Sequence, residues 1–187
     1  MSRVFGEVRQ VGCIVRDVGR AMSFWTDTLG VGPFFVLERV FDDYFYRGRA
    51  MRGPKVTLAF ANSGEIQIEL IQQHDQTPSA YREFMSAGRE GVQHLSSWFS
   101  DRAAYDEAHR RLRLRGLSLV HETRPAAPAP RFAYFETGES AAPLIEISEG
   151  LVPGPAAIFA RIRQAAIGWS GDNPIRDFTT GQPLSSR

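Results

Sequence analysis

A single cysteine, Cys13, among 187 residues excludes an internal disulfide. A reducing compartment is therefore expected. Neither sign of charge is in excess: 22 basic residues against 21 acidic leave a formal net charge of +1, which gives no reason to expect nucleic acid or an anionic membrane as partner. No apolar run reaches the roughly 18–20 residues of a membrane span, and the opening MSRVFGEVRQ has no apolar stretch of signal-peptide length. The expectation is a cytoplasmic protein with a small molecule as its partner. What the chain does have is 43% hydrophobic residues, enough for the core of one domain or two small modules.

The chain says one thing twice. RQVGCIVRDVGRAMSFWTDTLG, from Arg9 to Gly30, reads as a strand, a capping Asp and an amphipathic helix stopped by Gly. Val11, Cys13 and Val15 share one face of that strand, with Gln10, Gly12 and Ile14 on the other. Val18, Met22, Trp25 and Leu29 follow at helical spacing. QHLSSWFSDRAAYDEAHRRLRLRG, from Gln93 to Gly116, repeats the plan with Asp101 as the cap and Ala104, Ala108 and Leu112 as the stripe. Strands are expected after each helix: three or four over 34–41, 43–49, 55–61 and 65–72 in the first half, and 117–122, 131–136 and 143–148 in the second. A short polar helix near 79–87 links the halves, and the Pro- and Ala-rich 122–130 is a loop of limited freedom. The expected class is α+β: two βαβββ modules, about 8–73 and 91–149 within residues 1–150. A C-terminal helix (155–169) and tail complete the chain over 151–187, packing on its own domain or on a second subunit.

Aligned on Asp17 and Asp101, Gln10 falls on His94. The closing strands also correspond: Ile68-Glu69-Leu70 and Ile145-Glu146-Ile147 each hold a Glu between branched apolar residues. Alternation turns each Glu away from those neighbours, into whatever the sheet encloses. A carboxylate there is costly unless paired, hydrogen-bonded or bound to a cation. Gln10, Glu69, His94 and Glu146 therefore form a candidate divalent-metal site, for Zn, Ni, Co, Mn, Fe or Mg. Taken singly, each has an ordinary structural reading, and only the symmetry gathers them. His74, His109 and His121 have no counterparts, and His109 and His121 read as surface residues.

The pattern resembles the vicinal oxygen chelate superfamily, carried by QVGCIVRDVGRAMSFWTDTLG, GVQHLSSWFSD, IQIELI and PLIEISEG. The resemblance spans about residues 8–150 and looks nearest to methylmalonyl-CoA epimerase and lactoylglutathione lyase. It implies an incompletely closed eight-stranded cup, with metal ligands at Gln10, Glu69, His94 and Glu146. Gln10 stands where His is commoner. The implied activity is that of a metal-dependent isomerase, epimerase or lyase acting through an enolate-type intermediate on a small or CoA-linked carbonyl compound. Glu69 or Glu146 would be the catalytic proton shuttle. Alternatives are a metal-free ligand-binding protein of the resistance type and a metal-free acid–base enzyme. Alternation adds Gln67, Ser96 and Trp98 to the cavity face, and one face of RFAYFE, with Tyr134, is expected to border it. The Tyr- and Arg-rich DDYFYRGRAMRG either sets Arg47, Arg49 or Arg52 against a substrate carboxylate or phosphate or is an edge strand with solvated arginines. A homodimer is plausible because sheet edges and the last helix need cover.

Overall fold

The computed structural model describes residues 1–139 and 142–184; the last three residues of the expected tail fall outside that range. Strand β1 (Gln10–Ile14) leads to Asp17, whose carboxylate accepts the Arg20 amide at 2.9 Å and opens α1 (Val18–Ser23). The next turn, Phe24–Thr28, is wound wider, the Leu29 N–H reaching back to the Phe24 carbonyl at 3.3 Å. The added residue rotates the stripe. Met22 and Thr26 are buried, and Leu29, expected on the buried face, is 49% exposed.

The chain continues through β2 (Phe34–Val40), β3 (Tyr44–Tyr46), β4 (Arg49–Met51), β5 (Lys55–Ser63), β6 (Ile66–Gln73) and α2 (Ala80–Ser86). The second half runs β7 (Gly91–Trp98), α3 (Arg102–Leu114), β8 (Ser118–Thr123), β9 (Phe132–Glu136) and β10 (Leu144–Ser148), then α4 (Pro153–Ala166) and β11 (Ile175–Asp177). Asp101 caps α3 as Asp17 caps α1, accepting the Ala104 amide at 2.8 Å.

All strands join one curled, unclosed sheet in the order β11-β2-β5-β6-β1-β7-β10-β9-β8-β3-β4. β2-β5-β6-β1 and β8-β9-β10-β7 are two copies of one pattern, joined where β1 and β7 pair antiparallel. In each copy the first strand lies parallel to the last. The expected eight strands are therefore present, and three more extend them. One is β11, which lies parallel to β2 within the expected tail. The others are β3 and β4, expected inside the first meander. They form a hairpin whose Arg47-Gly48 turn has positive φ at both residues, the geometry that suits two-residue hairpins. β3 crosses over to pair with β8, closing the rim of the second half with residues from the first.

Alternation divides the apolar residues among three cores. Cys13, Val15, Met22, Phe34 and Leu70 pack between the sheet and α1. Tyr105, Leu112, Phe135 and Ile147 pack under α3. The opposite, concave face carries Ile14, Phe60, Ile71 and Tyr134, covered by Tyr81 and Phe84 of α2 and by Ile162 of α4. The C-terminal helix thus packs on its own chain, beginning with prolines in its first turn, where a missing N–H costs nothing. No helix among the described residues is long and apolar enough to cross a membrane.

Candidate functional site

Register explains how four side chains remote in sequence meet. Where β1 and β7 pair, Gln10 lies opposite Ser96 and Gly12 opposite His94. Beside β1, β6 sets Gln67 and Glu69 next to Gln10 and Gly12. Beside β7, β10 sets Leu144 and Glu146 next to His94 and Ser96. The repeat alignment and the pairing describe the same two-fold: Gln10 corresponds to His94, Gly12 to Ser96, and Glu69 to Glu146. All these positions share the concave face, at the floor of a cavity of about 430 Å³ bordered by Gln10, Glu69, Tyr81, Trp98, Tyr134 and Glu146.

His94 is fully buried, with Nε2 3.3 Å from a Glu69 oxygen and 3.4 Å from a Glu146 oxygen. Its ring lies over Gly12; a Cβ on that glycine would stand 1.8 Å from the imidazole. Nδ1 is 3.2 Å from Gln93 Oε1, and the Gln93 amide donates to the Ala80 carbonyl at 2.7 Å. With Nδ1 turned to the Gln93 carbonyl oxygen, Nε2 faces the carboxylates. Tyr134 Oη lies 3.3 Å from the same Nε2, and the Tyr81 hydroxyl donates to Tyr134 at 3.3 Å. The Gln10 amide nitrogen donates to Gln67 Oε1 at 2.7 Å, which leaves its carbonyl oxygen as the uncommitted end.

Burial raises the pKa of Glu69, opposed by His94 and reinforced by the Glu146 charge. Burial alone would discharge His94, but the close approach and charge of Glu146 and Glu69 outweigh it and push the imidazole up to about 9. Burial also holds the Tyr81 and Tyr134 hydroxyls well above the usual phenol range.

These residues fit a divalent cation. Donor atoms of Glu69, His94 and Glu146 lie within 4.8 Å of one another. Glu146 Oε2 is buried with no donor aligned to it, despite its approach to His94, and an unpaired carboxylate oxygen in such a place is what a cation relieves. Two oxygens and an imidazole nitrogen, with an amide oxygen at hand, are an ordinary ligand set for several first-row metals.

The other expected site residues divide. Trp98 and Tyr134 border the cavity. Gln67 stands behind Gln10, and Ser96 is buried on the same face with an unpartnered hydroxyl, so neither borders the open volume. Arg47 lies elsewhere: the β3 crossover carries it to the surface, where it pairs with Glu83 at 3.0 Å and Glu136 at 3.2 Å. His109 is half-buried against Glu122. His121, expected at the surface, is fully buried. Its Nδ1 lies 2.9 Å from the Tyr44 hydroxyl, its Nε2 has no partner, and burial holds its pKa down to about 3. The hairpin that removes Arg47 from the cavity is what covers His121, since Tyr46 of β3 pairs with it. Sequence reasoning passed over Gly12, Gln93 and Tyr81. Gly12 carried a signal, because it corresponds to Ser96 as a small residue two places after the ligand position; Tyr81 lies in the unrepeated linker and carried none.

The family model of the glyoxalase/bleomycin resistance protein/dioxygenase superfamily matches residues 9–135. Among curated proteins none matches. Among solved structures, methylmalonyl-CoA epimerase from Mycobacterium tuberculosis is 26% identical, with a TM-score of 0.56 over 84% of this chain and 94% of its own. A variant of the Streptomyces coelicolor methylmalonyl-CoA epimerase, in complex with 2-nitronate-propionyl-CoA, is 17% identical, with a TM-score of 0.53 over 77% of this chain and 94% of its own. A hypothetical protein from Bacillus halodurans is 18% identical, with a TM-score of 0.52 over 76% and 92%. The two at lower identity share the fold.

Proposed function

The chain belongs to the glyoxalase/bleomycin resistance protein/dioxygenase superfamily, and on that premise we propose that it is an isomerase- or epimerase-type enzyme. Its reaction would move a proton at the carbon next to a carbonyl group. The observation that carries this reading is the Glu69–His94–Glu146 cluster, buried at the floor of a cavity large enough for a substrate. The likeness to methylmalonyl-CoA epimerases supports it. Gln10, Glu69, His94 and Glu146 would hold a divalent metal ion, which when bound supplies positive charge for the oxygens of the substrate.

The chain's own residues account for the rest. Gln93 fixes the imidazole so that Nε2 faces the carboxylates. Gln67 anchors the Gln10 amide. Burial raises the proton affinity of Glu69, which suits a group that takes a proton from carbon and returns it. Glu146 shares the floor and is the other candidate for that transfer. Tyr134, held protonated by burial, offers a hydroxyl beside the same point. The apolar walls exclude water, so that a proton is returned to carbon rather than lost to solvent.

The test has two parts. Protein purified without a histidine tag is analysed for metal. It is then incubated with acyl thioesters in heavy water, and deuterium at the carbon beside the carbonyl is followed by NMR. Metal-dependent exchange, lost by about a hundredfold or more in Glu69→Gln or Glu146→Gln, is the expected result. Exchange in neither the presence nor the absence of metal rejects the reading. The predominantly apolar cavity also suits the alternative, a protein that sequesters a hydrophobic ligand without metal; retained ligand binding with no metal and no exchange is its signature.

A further inference from the structure

The cavity wall is more specific than the floor. Trp98 stacks on Phe159 of α4 with ring centroids 4.6 Å apart, and Phe60 meets Phe159 at 5.9 Å and Phe178 at 5.2 Å. Phe41 and Phe132 meet edge to face at 4.9 Å and border the same space. Residues from both halves of the cup, the last helix and the tail thus build one aromatic enclosure.

Only two cations among the described residues border it, Arg39 and Arg131. Arg131 is committed: its guanidinium binds Glu149 at 2.8 Å and Asp106 at 2.8 Å and lies over the Tyr105 ring. Arg39 makes no ion pair among the described residues. It follows Leu37 at period two on β2, and its guanidinium lies 5.0 Å from the Phe41 ring centroid. Asp42 also borders the cavity, beyond ion-pair distance of Arg39. At the opposite end, the two floor carboxylates offset the charge of the metal ion they would hold, which leaves little to attract a further anion.

The geometry points to a substrate with a bulky apolar body, set in the aromatic enclosure, and an anionic group at the other end held by Arg39. A small acyl group would leave the aromatic walls without contacts, and among the described residues the only uncommitted cationic side chain that borders the cavity stands on β2 rather than at the floor. The inference rests on the proposed function for its carbonyl and deepens it by naming the class of molecule that carries it. An amphipathic acyl compound fits: hydrophobic chain or ring system, reactive carbonyl, and a carboxylate or phosphate.

The experiment measures binding rather than turnover. Hexanoate, octanoate, decanoate and neutral decanol are titrated calorimetrically into the protein as purified, with and without EDTA. The expected result is tightening by about fourfold per added methylene, from the burial of apolar surface. Arg39→Gln should weaken decanoate about tenfold and leave decanol within about twofold, while Asp42→Asn should strengthen decanoate. Arg39 is exposed and makes no hydrogen bond among the described residues, so its replacement should fold. Affinity independent of chain length, equal losses for decanoate and decanol in Arg39→Gln, or binding abolished by EDTA would each overturn the inference, the last by placing the carboxylate at the floor. Loss of deuterium exchange with these binding results intact would reject the proposed reaction alone. Intact exchange without chain-length dependence would reject only the substrate class.

Discussion

Gly12→Ala is the most exacting test of the site, because it adds one methyl group at a position that itself supplies no ligand. The new Cβ would lie 1.8 Å from His94 Cε1, 2.0 Å from Nε2 and 2.4 Å from Nδ1. Ordinary carbon contact begins near 3.5 Å, so the ring must retreat by about 1.7 Å. It has little room to do so, being fully buried with the Tyr134 ring centroid 4.7 Å away. Any retreat of that size takes Nε2 out of its present 3.3 and 3.4 Å relation to Glu69 and Glu146. Overpacking of this kind destabilises a fold by about 1–3 kcal/mol, and misplacing a metal ligand through its neighbours lowers affinity by about 10–100-fold. Thermal unfolding and calorimetric titration with zinc or cobalt read the two effects separately. Gly19→Ala is the control, since its Cβ would meet only Asp17 Oδ1 at 3.4 Å in a helix that alanine favours. If Gly12→Ala bound metal as the parent protein does, His94 would not be held where the structure puts it, and the assignment of the site would fail.

Three further outcomes are expected. Gln10→His should tighten binding of zinc or cobalt about tenfold by replacing a neutral amide oxygen with an imidazole nitrogen; unchanged affinity on titration would place residue 10 outside the ligand set. His121 has a folded-state pKa pushed down to about 3 against an ordinary value of 6.5. The unfolded chain therefore takes up that proton first as pH falls. Stability from this residue is complete above pH 6.5 and declines by about 1.4 kcal/mol per pH unit below it. Urea midpoints from pH 8 to pH 4 should show this slope, and His121→Gln should lose it. Ile162→Ala, at a fully buried position of the C-terminal helix against the concave core, should cost about 2–5 kcal/mol of stability. A calorimetric melting temperature equal to the parent's would mean that the helix does not stand over the cup.

The sequence by itself determined the repeated units and the face on which each polar residue lies. Strand alternation has a period of two and helix periodicity one of 3.6, and both survive in any fold that buries the apolar side. Asp17 and Asp101 marked the helix starts, because a carboxylate satisfies amides only a few residues away. Glu69 and Glu146 were legible for the same local reason, as charges set among residues bound for a core. Long-range pairing was not legible. The crossover of β3 to β8 removed Arg47 from the cavity and buried His121, and no local pattern distinguishes that hairpin from a strand of the first meander. The widened turn at Phe24–Thr28 changed the phase of a helix whose residues differ little in propensity. Tertiary structure alone brought Tyr81 to Tyr134 beside His94, tied Gln93 to the Ala80 carbonyl and set α4 across the cup. Backbone preferences and side-chain periodicity act over a few residues, whereas these contacts join segments whose meeting depends on how the whole sheet curls.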